Sequence, residues 1–226
     1  MSEPKDDPRH DTLLREIDED LRREKYEKLW KRYGSYLIGA AMVLVVAVAG
    51  FKIWEYQDNR SRSAASQKFT AAIRQTETDR PAAEAALRQL SENGPAGYGM
   101  LASFQRAALL ARDGDRPGAR ALYQELQRTA SPEMYRELAI ILEAMTALEA
   151  EVLPLDSDAI LGKLQPLTRD GNGWRFSARE LSAVIEYRSG RTAEARGRLG
   201  ALASDAQAPP DVRSRAQQLL TQLGEG

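Results

Sequence analysis

The sequence predicts an all-α protein in which a single N-terminal transmembrane helix precedes a solenoid of helical hairpins. Residues 37–51, LIGAAMVLVVAVAGF, contain no charge and no strongly polar side chain. Downstream, the chain is rich in Ala, Leu, Arg, Gln and Glu, all good helix formers, and no stretch alternates like a strand for more than a few residues. Short Gly, Pro, Asn and Asp punctuations recur at intervals, dividing this region into about nine helices of twelve to twenty residues.

The chain opens with MSEPKDDPRH, polar and with two prolines, so residues 1–11 are expected to form a disordered tail. The single histidine, His10, stands there beside Asp6, Asp7 and Asp11. A metal site would need several fixed ligands, and a solvated acidic tail is the simpler reading. Residues 12–33 then read as a charged amphipathic juxtamembrane helix, with Asp11 or Thr12 as its N-cap. Leu13, Ile17, Leu21, Tyr26, Trp30 and Tyr33 form a thin apolar stripe, and Glu24 with Lys28 and Glu27 with Lys31 stand at helix-stabilising spacing. Such a helix either remains solvated or lies on the bilayer or on a membrane partner.

Residues 34–54 form the expected span. Their length at 1.5 Å per residue reaches roughly 31 Å, close to the hydrocarbon thickness of a bilayer. Lys52 is the only charge, and its stem can snorkel toward the headgroups. The aromatic residues Trp30, Tyr33 and Tyr36 on one side and Trp54 on the other, with Phe51 and Tyr56, suit membrane-interface anchors. Two alternatives fit less well. A buried core helix would show a polar side or a cap within the run. Cleavage at Ala47-Val48-Ala49 would leave a signal peptide with an unusually long leading segment and an aromatic belt that continues past the cut.

Lys and Arg number seven in residues 15–32 and four in residues 52–69, which favours a cytoplasmic N-terminus and places the rest outside the cytoplasm, in a bacterium the periplasm. The chain has no cysteine, so disulfides and thiol chemistry are excluded. Residues 60–226 hold 22 Lys and Arg against 21 Asp and Glu, a balance that argues against a nucleic-acid surface.

Beyond residue 60 the expected hairpins cover about 60–93, 96–130, 132–170 and 173–205, with a closing helix over 209–223. Their repetition is visible in two units. Ala119, Tyr123 and Leu126 follow Gly114 at five, nine and twelve residues, and Ala195, Leu199 and Leu202 follow Gly190 at the same distances. Ala83, Leu87 and Leu90 occupy the corresponding places upstream, and Ser157, Leu161 and Leu164 near the midpoint, giving offsets of 36, 38 and 38 residues. A small residue at the first position allows two helices to approach, and the larger ones fill the groove between them.

The G-D-x-x-x-A-x-x-x-Y-x-x-L run, with Ala107 before it and Pro132 after it, resembles a tetratricopeptide repeat, and Ala183, Gly190, Ala195 and Pro209 repeat the pattern. With EKLWKRYG ahead of the span, a WRFSAREL unit and a closing DVRSRAQQLLTQL helix, residues 14–223 resemble the YfgM family in the form found in alphaproteobacteria. That resemblance implies an inner-membrane protein, an ancillary subunit of the SecYEG translocon associated with the periplasmic chaperone PpiD. It implies no catalytic residue and no cofactor.

Direct reading of the residues agrees that chemistry is not the theme. There is no phosphate-binding G-x-x-x-x-G-K-[ST], no H-E-x-x-H and no G-x-S-x-G. Asp156 and Asp158 stand where a helix begins, and Asp113 and Asp115 flank a repeat glycine, so all four read as cap and turn residues. The expected role is protein binding on the concave face of the solenoid. Candidate contacts are Leu101, Phe104, Ala108 and Arg112 on one first helix and Glu180, Val184, Tyr187 and Arg188 on another, with Trp174 as either packing or contact residue. An envelope-assembly scaffold, in cell-wall synthesis or division, would use the same architecture.

Overall fold

The computed structural model describes residues 8–149 and 156–224, with side chains from Leu29 onward. All regular structure among them is helical: α1 (Pro8–Gln75), α2 (Arg80–Asn93), α3 (Ala96–Arg112), α4 (Arg116–Thr129), α5 (Glu133–Leu148), α6 (Ser157–Leu164), α7 (Arg175–Arg188), α8 (Thr192–Ser204) and α9 (Pro210–Gly224), with a 3-10 turn at Gln165–Thr168. The chain divides into two units, Met1–Arg60 and Ser61–Gly226.

The first unit is helical from Pro8. Of the tail expected over residues 1–11, residues 1–7 lie outside the described part, and Pro8 to Asp11 are already in α1. A proline suits the first turn of a helix because the amide it lacks would have no partner there. No break separates the charged stretch from the apolar one. Gly34 continues the helix, and the Trp30 indole lies over it, so that a Cβ at residue 34 would stand 3.3 Å from the ring. The part of α1 from Leu29 contains a window of mean hydropathy 2.2 with none of it buried, long and apolar enough to cross a membrane.

In the second unit the end of α1, from Ser61 to Gln75, packs on α2 through Ala65 and Ala72. The pairs α3/α4, α5/α6 and α7/α8 follow, and α9 packs on α8. Helix starts are set by side-chain caps. Asp79 accepts from the Ala82 amide at 3.1 Å, Asp115 from Gly118 at 2.9 Å and Asp156 from Ala159 at 3.2 Å. Each relieves an amide that the first turn leaves without an acceptor. A Cβ at residue 118 would lie 2.3 Å from the Asp115 carboxylate as it is turned here, so a larger residue would make that side chain rotate, as the alanines at 82 and 159 show is compatible with the cap. Gly114 and Gly190, at φ 89° and 81°, end α3 and α7 in the left-handed conformation open to glycine.

Four apolar clusters form the core. One joins Ala65 and Ala72 of α1 to Ala83, Leu87 and Leu90 of α2 and Ala102 and Leu109 of α3. The next is built on Phe104, Ala119, Tyr123 and Leu126, the third on Ile141, Ile160, Leu164 and Ile185, and the last on Ala195, Leu199, Leu202 and Val212. In three of the second helices the small residue of the repeat is wholly inaccessible: Ala83, Ala119 and Ala195 are each at 0% exposure.

The third hairpin departs from the expected register. Ser157 and Leu161 are only half-buried, and the buried triplet is Ile160, Leu164 and Leu167, three residues later. The offsets are therefore 36, 41 and 35 residues between Ala83, Ala119, Ile160 and Ala195. The cause is the connection after α5, which covers residues 149–156 where the other hairpins use three or four, so that the cap falls at Asp156. Moving the start of α6 by three residues keeps its apolar face inward only if the triplet moves with it.

One buried charge ties α4, α5 and α6 together. Glu143, at 1% exposure, accepts from Gln124 and Gln127 at 2.7 Å each and from Lys163 Nζ at 2.6 Å. Burial pushes its carboxyl up, but the hydrogen bonds from Gln127, Lys163 and Gln124 and the charge of Lys163 outweigh this and hold it below its ordinary value. Glu186 is bound comparably by Nε and Nη2 of Arg198, at 3.0 and 2.5 Å, across α7 and α8.

The register is testable by thermal unfolding of the full chain in detergent. Ile160→Ala should cost about 3 kcal/mol, as for other buried large-to-small changes, and Leu161→Ala about 1 kcal/mol. The reverse order would restore the earlier register. Glu143→Gln offers one acceptor oxygen to three donors and should cost about 3 kcal/mol at neutral pH. Because the folded pKa of Glu143 is lowered, its contribution is complete above the unfolded value of about 4.3 and is lost as pH falls through the folded one. The gap between wild type and variant should therefore narrow below about pH 4, and a gap constant with pH would show that the charge is not what stabilises.

Candidate functional site

First helices neighbour first helices throughout the second unit. Phe69 of α1 meets Tyr98 of α3 with ring centroids 6.1 Å apart, and Phe104 of α3 meets Tyr135 of α5 at 6.3 Å. Arg188 of α7 donates to the Leu148 carbonyl at the end of α5, and Arg215 of α9 grips Glu180 of α7 at 2.7 and 2.9 Å. The second helices α2, α4, α6 and α8 make the other layer. Polar links between consecutive hairpins recur at one repeat length: Arg80 with Asp113 and Arg191 with Asp158 are 33 residues apart, and Arg112 with Glu77, Asn172 with Glu137 and Arg215 with Glu180 are 35 apart. Such solvated contacts add little stability but favour one stacking register.

The two layers differ in what they expose. Beyond Ser61, the large apolar side chains exposed among the described residues are Leu101 of α3, Met134 and Met145 of α5 and Tyr187 of α7, at 37%, 53%, 45% and 50%. All four lie on first helices, although apolar residues are plentiful in both layers.

The expected contact residues divide accordingly. Leu101, Ala108 and Arg112 are exposed along α3, and Tyr187 and Arg188 along α7. Val184 is half-buried, as is Glu180, which is engaged by Arg215. Arg112 is held by Glu77 at 3.0 Å, and this hydrogen bond and the guanidinium charge keep the Glu77 carboxyl below its ordinary value. Phe104 leaves the set. At 8% exposure its ring packs between Tyr123 and Tyr135, because at 100° per residue it points about 60° away from Leu101, toward α5. Trp174 is half-buried and packs against the cluster of Ile141, Leu164 and Ile185, while its amide donates to Asn172 Oδ1 at 2.7 Å.

Met134 and Met145 were not among the candidates. Their signal was present: eleven residues apart, they fall within about 20° of each other on a helix. It was hidden because α5 belongs to the hairpin with the least regular repeat.

In the first unit the expected interface residues Trp30, Tyr33, Tyr36 and Trp54 are exposed at 62%, 48%, 76% and 64%. Arg32 lies over the Tyr33 ring at 5.8 Å, and Trp54 meets Phe51 at 6.1 Å.

Two grooves lie in the second unit. One, of about 420 Å³, lies along the end of α1 and α2, is lined mainly by alanines and amide side chains, and has Lys68 as its one charged residue. The other, of about 460 Å³, is lined by Glu194, Arg179 and Arg198; Arg179 already bonds Thr168, Asp170 and Asp205, and Arg198 bonds Glu186.

Residues 27–199 match the family of tetratricopeptide repeat-like domains. No curated protein and no solved structure matches the chain significantly. Domains of this family are typically non-enzymatic scaffolds for protein–protein interaction. The match covers most of the chain, and the two-layered stack of capped helical hairpins has the architecture it implies: this protein belongs to the tetratricopeptide repeat-like domain family.

Proposed function

We propose that this protein is a single-pass scaffold of the bacterial inner membrane, with its N-terminus in the cytoplasm and its repeat domain in the periplasm. Its apolar segment crosses the bilayer, and the first-helix layer holds a protein partner. The observation that carries this reading is the confinement of Leu101, Met134, Met145 and Tyr187 to first helices, the helices that line the concave face of tetratricopeptide-like solenoids. The aromatic flanks of the span and the excess of Lys and Arg ahead of it support the orientation.

More specifically, the protein serves as an ancillary subunit of the Sec translocon. Tethering beside the exit raises the local concentration of the repeat domain for emerging chains and for a PpiD-like chaperone. The likeness in layout to the YfgM family supports this assignment.

Photo-crosslinking in intact cells, with probes at Val43 in the span and Ala108 on α3, is the direct test. Translocon subunits are expected at Val43, and a periplasmic chaperone or exported chains at Ala108. Cell-wall or division proteins at both positions would move the function to envelope assembly. A charged pair on the exposed face, Leu101→Asp with Tyr187→Asp, should abolish the Ala108 adducts while costing about 1 kcal/mol of stability per site. Undiminished adducts would remove this face from the binding role.

A further inference from the structure

We propose that Met134 and Met145 form an oxidisable pair through which peroxide weakens partner binding by the first-helix layer. The weakening rests on the reading of that layer as the binding face; the modification itself does not. The chain has five methionines and no cysteine, so the thioether is the only sulfur it offers to an oxidant. Met42 stands in the apolar run, and Met100 is half-buried against the cluster of Phe104 and Tyr123. Met134 and Met145 are exposed at 53% and 45% on one helix, α5. Eleven residues place them on the same side and about 16 Å apart along the axis, so both belong to one strip of the layer.

The reaction needs only a peroxide. A lone pair on sulfur attacks the O–O bond of hydrogen peroxide; the S–O bond forms as the O–O bond breaks, one oxygen stays on sulfur, and the other leaves as water. Sulfur loses two electrons and the peroxide gains them. The product is polar and a strong hydrogen-bond acceptor where the thioether was apolar. Two of the four large apolar groups exposed on the layer are changed in this way, while the buried clusters beneath are untouched. The effect should therefore fall on binding and leave the fold intact.

The test uses the full-length protein in lipid vesicles, treated with hydrogen peroxide and followed by peptide mass mapping and circular dichroism. Sulfoxide is expected at Met134 and Met145 severalfold faster than at Met100, with unchanged helicity. Oxidation of Met100 at the same rate, or helix loss in step with oxidation, overturns the proposal. Binding is read in cells by the adducts at Ala108 before and after peroxide. A severalfold loss is expected in the wild type, with retention in Met134→Leu/Met145→Leu, which keeps the apolar volume without the sulfur. Equal loss in both chains would place the peroxide effect elsewhere and overturn the link to binding. Absence of adducts in the untreated wild type would reject the binding-face reading and the link with it, while peptide mapping would still decide the modification.

Discussion

The structure depends on a simple deficit: no hairpin can bury its own apolar surface. Ala83, Leu87 and Leu90 of α2 are covered only when Ala102 and Leu109 of α3 are in place, and Ile185 of α7 completes the cluster begun by Ile141, Ile160 and Leu164. Full burial of each Leu or Ile supplies about 1.5–3 kcal/mol, so most of the driving force lies at contacts between helices rather than within them. In three of the second helices a fully buried alanine opens the apolar face. With no side chain beyond Cβ, Ala83, Ala119 and Ala195 let the backbones come together, and the larger residues one and two turns later fill the groove.

Polar groups decide which stacking is adopted. The carboxylate of Glu143 is inaccessible, and it is tolerated there because two amides and an ammonium converge on it from α4 and α6. Replacing that set with apolar side chains of equal volume need not weaken the domain, since taking the charges out of water offsets much of their attraction. What the set demands is a particular alignment of three helices. The solvated contacts between hairpins, spaced at one repeat length, act in the same sense with less energy behind each.

Once stacking has consumed the sides of each hairpin, one side of the first helices remains in water. There the chain leaves methionine, leucine and tyrosine in water, and the neighbouring arginines and glutamates are already paired with one another. A surface of that kind has few unsatisfied charges to select against a partner and several adaptable apolar groups to hold one. Methionine side chains adjust to irregular contours.

The sequence by itself determined the helical class, the apolar span, the cap at Asp156, the turn at Asp115 and the repeat in its two regular units, because each depends on residues within a few turns of one another. It did not determine the register of α6. Both Ser157-Leu161-Leu164 and Ile160-Leu164-Leu167 are acceptable helical faces, and packing against Ile141 and Ile185, with Lys163 held on Glu143, selects the second. Nor did it separate Phe104 from Leu101 or bring Met134 and Met145 forward. Helical periodicity places residues on faces but is silent on which face a neighbour will cover. On α3 that was decided by Tyr123 and Tyr135, which close over Phe104 and leave Leu101 in water. Burial is a property of at least two elements, so it became legible only when the hairpins were stacked.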